Sequence, residues 1–352
     1  MQYRELGLLE HNEKLATPGY TLIAPLRGLV AYLVDMKGEV VHEWALPDKL
    51  ASLAYMLPGG HLLTSGMTDE GPPIIEAKGG HLREFDWNGN LVWDHVDHAQ
   101  HHDFRRLANG NTIYLGWDEM TAEAATRVQG GIPGSERNGK IYSDFIKEIT
   151  PDGAIVWEWH ASDLAIEDYP LAVDCHRFEF AHANTCAPAS DNNVLINFRH
   201  LDMMAEIDYE TKQFLWERRD RSWGHQHNPE FLTNGNITFF SNGMNNDVQP
   251  IRSRAIEMNP ATGEIVWQYQ APQSWTFFSP IVSGVQRLTS GNTLICEGVT
   301  GRVFEVTQVG EVVWEYISPF FNEVFPNDGP SNVLFRAYRY AKDSEEIAGR
   351  VG

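Results

Sequence analysis

One short pattern recurs six times along the chain and leaves few folds open. Gly38-Glu-Val-Val-His42, Gly89-Asn-Leu-Val-Trp93, Gly153-Ala-Ile-Val-Trp157, Lys212-Gln-Phe-Leu-Trp216, Gly263-Glu-Ile-Val-Trp267 and Gly310-Glu-Val-Val-Trp314 each follow a run of alternating residues, such as Ala31-Tyr-Leu-Val-Asp35 or Met204-Ala-Glu-Ile-Asp208. Alternation has the period of a strand, and Gly, Asn or Asp between two such runs makes a tight turn, so each pair reads as a β-hairpin. A second hairpin signal recurs at Leu57-Pro-Gly-Gly-His61, Leu107-Ala-Asn-Gly-Asn111, Leu232-Thr-Asn-Gly-Asn236 and Leu288-Thr-Ser-Gly-Asn292. Two hairpins per repeat, without helical periodicity, are the pattern of a β-propeller.

The chain ends complete the picture. Gly19-Tyr-Thr-Leu-Ile-Ala-Pro25 reads as a second strand lacking its first, and Asn332-Val-Leu-Phe-Arg-Ala-Tyr-Arg-Tyr340 as a lone final strand. The predicted fold is an all-β, six-bladed β-propeller, one domain over residues 1–352, in which the C-terminal strand completes the N-terminal blade and closes the ring. Closure protects strand edges that would otherwise pair with other chains. Two excursions interrupt the repeat: residues 118–142, which begin with a short helix-like stretch, and residues 160–181, which run directly into His182. Long loops on a rigid scaffold commonly wall a pocket. The repeated tryptophans are expected as packing between blades.

Composition narrows the function classes. The net charge of −21 repels phosphate backbones and anionic lipid, so neither nucleic acid nor a membrane surface is an expected partner. Cys175, Cys186 and Cys296 are odd in number and lack a CxxC spacing, and read as reduced thiols. The N-terminal residues show no basic-then-apolar signal, so a cytoplasmic location is expected. No apolar run approaches the ~20 residues needed to cross a bilayer. Nothing in the sequence sets an oligomeric state.

Chemistry enters where the repeat is irregular. His102, His182 and His227 occupy the same point of three consecutive repeats, while two neighbouring repeats carry Ser52 and Ser283 there. Histidine is therefore not demanded by the repeat, and a ring of blades brings equivalent positions around one axis. Asn184 lies two residues beyond His182 and shares its face on a strand. Arg199 ends the following strand, and Asp103 and His101 flank His102. Three imidazoles alone suit Zn²⁺, but a nearby arginine would repel it, so no metal is expected among them. The set suits a tetrahedral oxyanion instead: the guanidinium fork pairs with two oxygens, while imidazoles donate hydrogen bonds, move protons or act as a nucleophile. That describes sulfuryl or phosphoryl transfer through a covalent histidine. The alternatives are a polysaccharide lyase or ester hydrolase using His and Arg, a quinone-dependent dehydrogenase, and a non-catalytic scaffold in which the histidines tie turns. Cofactors are not implied, apart from a possible structural cation in the channel.

These residues resemble the bacterial arylsulfate sulfotransferases over nearly the whole chain. The matching motifs are His101-His102-Asp-Phe with its Leu-Ala-Asn-Gly-Asn turn; His182-Ala-Asn184-Thr with Phe198-Arg199-His200; Gln226-His227 with Leu-Thr-Asn-Gly-Asn and Phe-Ser-Asn-Gly; and Phe335-Arg-Ala-Tyr-Arg-Tyr340. The resemblance implies a six-bladed propeller that moves a sulfuryl group from a phenolic sulfate ester to a phenol or other hydroxyl acceptor, without a nucleotide donor. It implies His227 as the nucleophile that becomes sulfohistidine. His182 and Arg199, helped by Asn184, would hold the sulfuryl oxygens, and His102 would hold the group or shuttle the phenol proton. Asp103 and His101 would belong to the substrate-binding surroundings. The resemblance also implies a periplasmic location, longer chains and a disulfide, where this sequence leads to the expectation of a cytoplasmic protein with free thiols.

Overall fold

The computed structural model describes residues 5–74, 77–244, 250–325 and 327–351. Six antiparallel sheets of four main strands follow one another round a ring. The first blade is Leu334–Tyr340, Tyr20–Pro25, Val30–Val34 and Val40–Ala45 from the inside outwards, with Tyr20 opposite Tyr340 and Ile23 opposite Ala337. The C-terminal strand thus supplies the missing inner strand, and the predicted closure holds. The third, fourth and fifth blades begin with Gln100–Arg106, Ala183–Pro188 and His227–Phe231. The sixth begins with Gly284–Arg287.

One strand was not anticipated. Gly7–His11 pairs with Val312–Ile317 as a fifth, outermost strand of the sixth blade. Its sequence, Gly-Leu-Leu-Glu-His, carries no alternation because no face of it is fully buried.

The repeated motifs have separate physical jobs. The turn glycine of each outer hairpin has positive φ, 79° at Gly38 and 86° at Gly310, a region glycine enters without steric cost; Lys212 takes it at 60° in the fourth blade. The tryptophan closing each motif reaches the next blade. Trp93 Nε1 donates to Pro151 O at 2.7 Å, Trp157 to Tyr209 O at 2.8 Å, Trp267 to Gln308 O at 2.9 Å and Trp314 to Met36 O at 3.0 Å. His42, the one replacement, bonds through Nε2 to Trp87 O at 2.8 Å. Trp216 breaks the series by donating to Glu206 of its own blade, and Arg218 crosses to Pro260 O instead. The asparagine ending each inner hairpin binds a glutamate on the third strand: Asn111 to Glu148 at 2.6 Å, Asn236 to Glu257 at 2.7 Å, Asn292 to Glu305 at 2.7 Å.

The two excursions fold on each other. A short helix, Ala122–Arg127, leads to Gly130–Ile132, which pairs in parallel with Leu171–His176 of the second excursion. Glu179–Phe180 then joins the third blade beside Tyr142–Ser143 before the chain enters the fourth. Inside the ring, Arg336 reaches from the first blade to Asp103 of the third, at 3.1 Å, and to Asn184 O and Thr185 Oγ1 of the fourth, at 3.0 and 2.9 Å. A guanidinium therefore already crosses the channel.

Candidate active site

The histidines are aimed by backbone irregularity. In the second to fifth blades the ladder between the first two strands slips at the start of the inner strand. Such bulges twist a strand and redirect its side chains. His102 and His182 themselves hold φ of 48° and 57°. In the fifth blade the left-handed residues are His225 and Asn228, on either side of His227, at 68° and 54°.

All three predicted histidines open onto one cavity of about 400 Å³, together with Arg199. The His102 and His182 rings are 4.7 Å apart, and His200 lies 4.5 Å beyond His182. Apolar side chains line the same cavity: Leu26, Phe178, Ile281, Val282, Phe325 and Phe335. Among the described residues, the Arg199 guanidinium has no hydrogen-bond or ion-pair partner. An uncommitted guanidinium facing imidazoles is a site shaped for an anion.

The tautomer of His227 follows from its neighbours. Its Nδ1 lies 2.7 Å from Asn242 Oδ1 and 3.0 Å from His225 O. Asn242 donates its amide N–H groups to Ser279 O and Val282 O, at 2.9 and 3.1 Å, so its oxygen is the atom that faces His227. With two acceptors on one nitrogen, Nδ1 carries the proton and Nε2 keeps its lone pair. Burial, then the positive charge of Arg199, bring the His227 pKa down to about 3, so the ring is neutral. Burial also holds His102 and His182 well below the usual histidine range, followed by repulsion from His101 on His102 and from His200 on His182.

Two further contacts arm these rings. The His182 Nδ1 lies 2.8 Å from the buried Glu179 carboxylate, delivered by the second excursion. His102 Nδ1 lies 2.8 Å from His101 Nδ1, and His101 Nε2 lies 3.3 Å from Asp144 Oδ1. His101 is thus behind His102, stacked on Trp117, rather than at the cavity surface.

The remaining two predicted residues do not join the cavity. Asn184 is fully buried, donating to Gln226 O at 2.9 Å and accepting from Asn197 at 2.6 Å, so it ties the fourth blade to the fifth. It lies two residues beyond His182, which immediately precedes the strand, but the bulge between Ala183 and Thr185 breaks the alternation that would have aligned the two. Asp103 turns to the channel, where Arg336 and the Cys186 N–H engage it.

The family model of the arylsulfotransferases matches residues 56–319, most of the chain and every residue of the cluster. The chain belongs to the arylsulfotransferase family. Membership sets it among enzymes acting on aryl sulfates and phenols. No curated protein matches it. Among solved structures, a protein of unknown function from Bacteroides caccae is similar with a TM-score of 0.56 and 14% identity, covering 91% of this chain and 98% of that one. A streptogramin B lyase is similar with a TM-score of 0.50 and 12% identity, covering 91% and 86%. At such identities both likenesses concern the fold alone. No helix is long and apolar enough to cross a membrane among the described residues.

Several residues around this cavity were not singled out in the sequence. Asn242 sits in Phe240-Ser-Asn-Gly243, one of the motifs that carry the resemblance, and that was the available signal. Glu179 and Phe178 come from the second excursion, which has no repeat equivalent, and Asp144 lies on a third strand, away from the phase at which the histidines recur, so no pattern marked them.

Proposed function

We propose that this arylsulfotransferase acts by a ping-pong mechanism in which His227 carries the sulfuryl group. The observation that carries the reading is the fixed tautomer: Asn242 and the His225 carbonyl hold the Nδ1 proton, leaving the Nε2 lone pair to the cavity that Arg199 shares. In the first half-reaction Nε2 attacks sulfur, an N–S bond forms, and the S–O bond to the phenol breaks. The ring becomes cationic, and the two oxygens on Nδ1 accept from it more strongly as it does. Arg199 pairs with the sulfuryl oxygens, which hold the negative charge throughout. Little else is needed for a loose transfer of this kind beyond position and charge.

The leaving phenolate requires a proton. His102 supplies it, with His101 and Asp144 behind: a proton on the His101–His102 pair leaves His102 Nε2–H facing the cavity. In the second half-reaction His102 takes the acceptor's proton as its oxygen attacks sulfur and the N–S bond breaks. His182, with Glu179 at Nδ1, orients the group from the other side. Phe178, Phe325 and Phe335 fit the aryl portion of donor and acceptor.

Incubation with an aryl sulfate and no acceptor tests the reading. Mass spectrometry should find an adduct of about 80 Da on His227, the mark of covalent catalysis. Donor turnover without an adduct, undiminished in His227→Ala, overturns it.

A further inference from the structure

Outside the sulfuryl site, a second cluster joins the inserted excursion to the loop before His227. Asp174 and Cys175 lie on Leu171–His176 of the excursion, and His225 lies in the loop between the fourth and fifth blades. Their ligand atoms are all within 4.8 Å of one another. His225 Nε2 is 3.3 Å from Asp174 Oδ2 and 4.0 Å from Cys175 Sγ. A tetrahedron built on zinc bonds of about 2.0 Å to nitrogen and oxygen and about 2.3 Å to sulfur has edges of roughly 3.3 and 3.6 Å, close to these.

The surroundings are those of a prepared ligand set. His225 Nδ1 donates to Arg199 O at 2.9 Å, and its backbone N–H is held by Asp202 Oδ1 at 2.6 Å. A hydrogen-bonded second nitrogen is how metal-bound histidines are oriented. Cys175 and His225 are buried, whereas the Asp174 side chain is 45% exposed, so solvent can complete the coordination. Thiolate, imidazole and carboxylate together favour Zn²⁺ among the common divalent ions.

We propose that Asp174, Cys175 and His225 bind one Zn²⁺, which clips the excursion to the loop that leads into His227 and hydrogen-bonds the Arg199 turn. The ion displaces the thiol proton and the proton His225 shares with Asp174, and makes no contact with the sulfuryl group. The clip fixes two things at once. The excursion brings His176, Phe178 and Glu179 to the cavity, and His225 holds Arg199 through the Arg199 carbonyl and His227 through its own. The inference stands apart from the sulfuryl-transfer reading, since its readout is metal binding.

The test uses the full chain, free of any tag and stripped by a chelator. Titration with Zn²⁺ should show one ion per chain and a raised Tm. Co²⁺ in its place should give a thiolate charge-transfer band. Asp174→Asn should weaken Zn²⁺ binding at least tenfold, and Cys175→Ser should do the same and abolish the band. Asp174→Asn changes an exposed side chain and keeps the test open should Cys175→Ser fail to fold. Absence of stoichiometric uptake, or uptake equal in the parent and Asp174→Asn, overturns the proposal.

Discussion

The third, fourth and fifth blades differ from the second and sixth at one repeat position, and the difference separates scaffold from chemistry. His102, His182 and His227 open onto the cavity, whereas Ser52 and Ser283 are fully buried. Yet the ladder slips at the start of the second blade, which carries Ser52, as it does in the three histidine blades. The bulge is therefore not tied to histidine, and the imidazole is what three blades of this chain add to it. Ser283 shows the alternative use of the position: its hydroxyl accepts the Gly298 N–H at 3.0 Å and stitches backbone to backbone.

The largest test of that division is paired substitution. His227→Ala should lower donor turnover on the order of 10⁴-fold or more, as loss of a covalent nucleophile does. Ser52→Ala should leave turnover within about twofold, because exposed or unpartnered hydroxyls contribute little. Steady-state assay with an aryl sulfate and a phenol compares them directly. Equal losses would mean that the position is structural in every blade.

Next comes the charge that the serine blades lack. Arg199→Ala should cost on the order of 10²–10³-fold in kcat, the usual loss for one preorganised oxyanion donor. Asn242→Leu should cost about 10–100-fold, as removal of an orienting partner does. The informative feature of Asn242→Leu is its cause: it frees Nδ1 to lose its proton to Nε2, so the adduct should form slowly but still on His227.

The sequence made the ring and the histidine cluster legible for one reason: both are periodic. Six hairpins fix the blades, and three substitutions at one phase of the repeat stand out against it. What lacks a phase was invisible. The Gly7–His11 strand has no alternation, and Glu179 and Asp144 act from an insertion and a third strand. Asn184 was misplaced by the same reasoning that placed His182, since counting by two along a strand fails across a bulge.

The histidine blades should also make stability depend on pH. His102, His182 and His200 are held neutral in the fold, chiefly by burial, with pKa values well below 6.5. The unfolded chain takes up these protons near 6.5 and the folded chain does not, so stability falls as pH drops below about 6.5. Thermal unfolding at stepped pH should show Tm declining on that side, and His200→Gln should make the decline shallower. A Tm insensitive to pH between 6.5 and 5 would mean that the cluster is protonated in the fold.

The smallest effect tests the scaffold alone. Trp157 Nε1 bonds Tyr209 O across the seam between the third and fourth blades, and its ring stacks on Tyr209 with centroids 5.1 Å apart. Trp157→Phe keeps an aromatic ring but removes the donor, leaving the Tyr209 carbonyl to water. The expected loss is about 1 kcal/mol, one net hydrogen bond, read as a lower denaturation midpoint with unchanged turnover. Trp216 donates within its own blade, to Glu206, and Arg218 spans the seam to the fifth blade in its place. Arg218→Ala should therefore loosen that seam, as Trp157→Phe does its own. Trp216→Phe should leave amide exchange across the seam unchanged. If Trp216→Phe instead opened the fourth–fifth seam, the tryptophan would be holding blades together through packing rather than through its N–H.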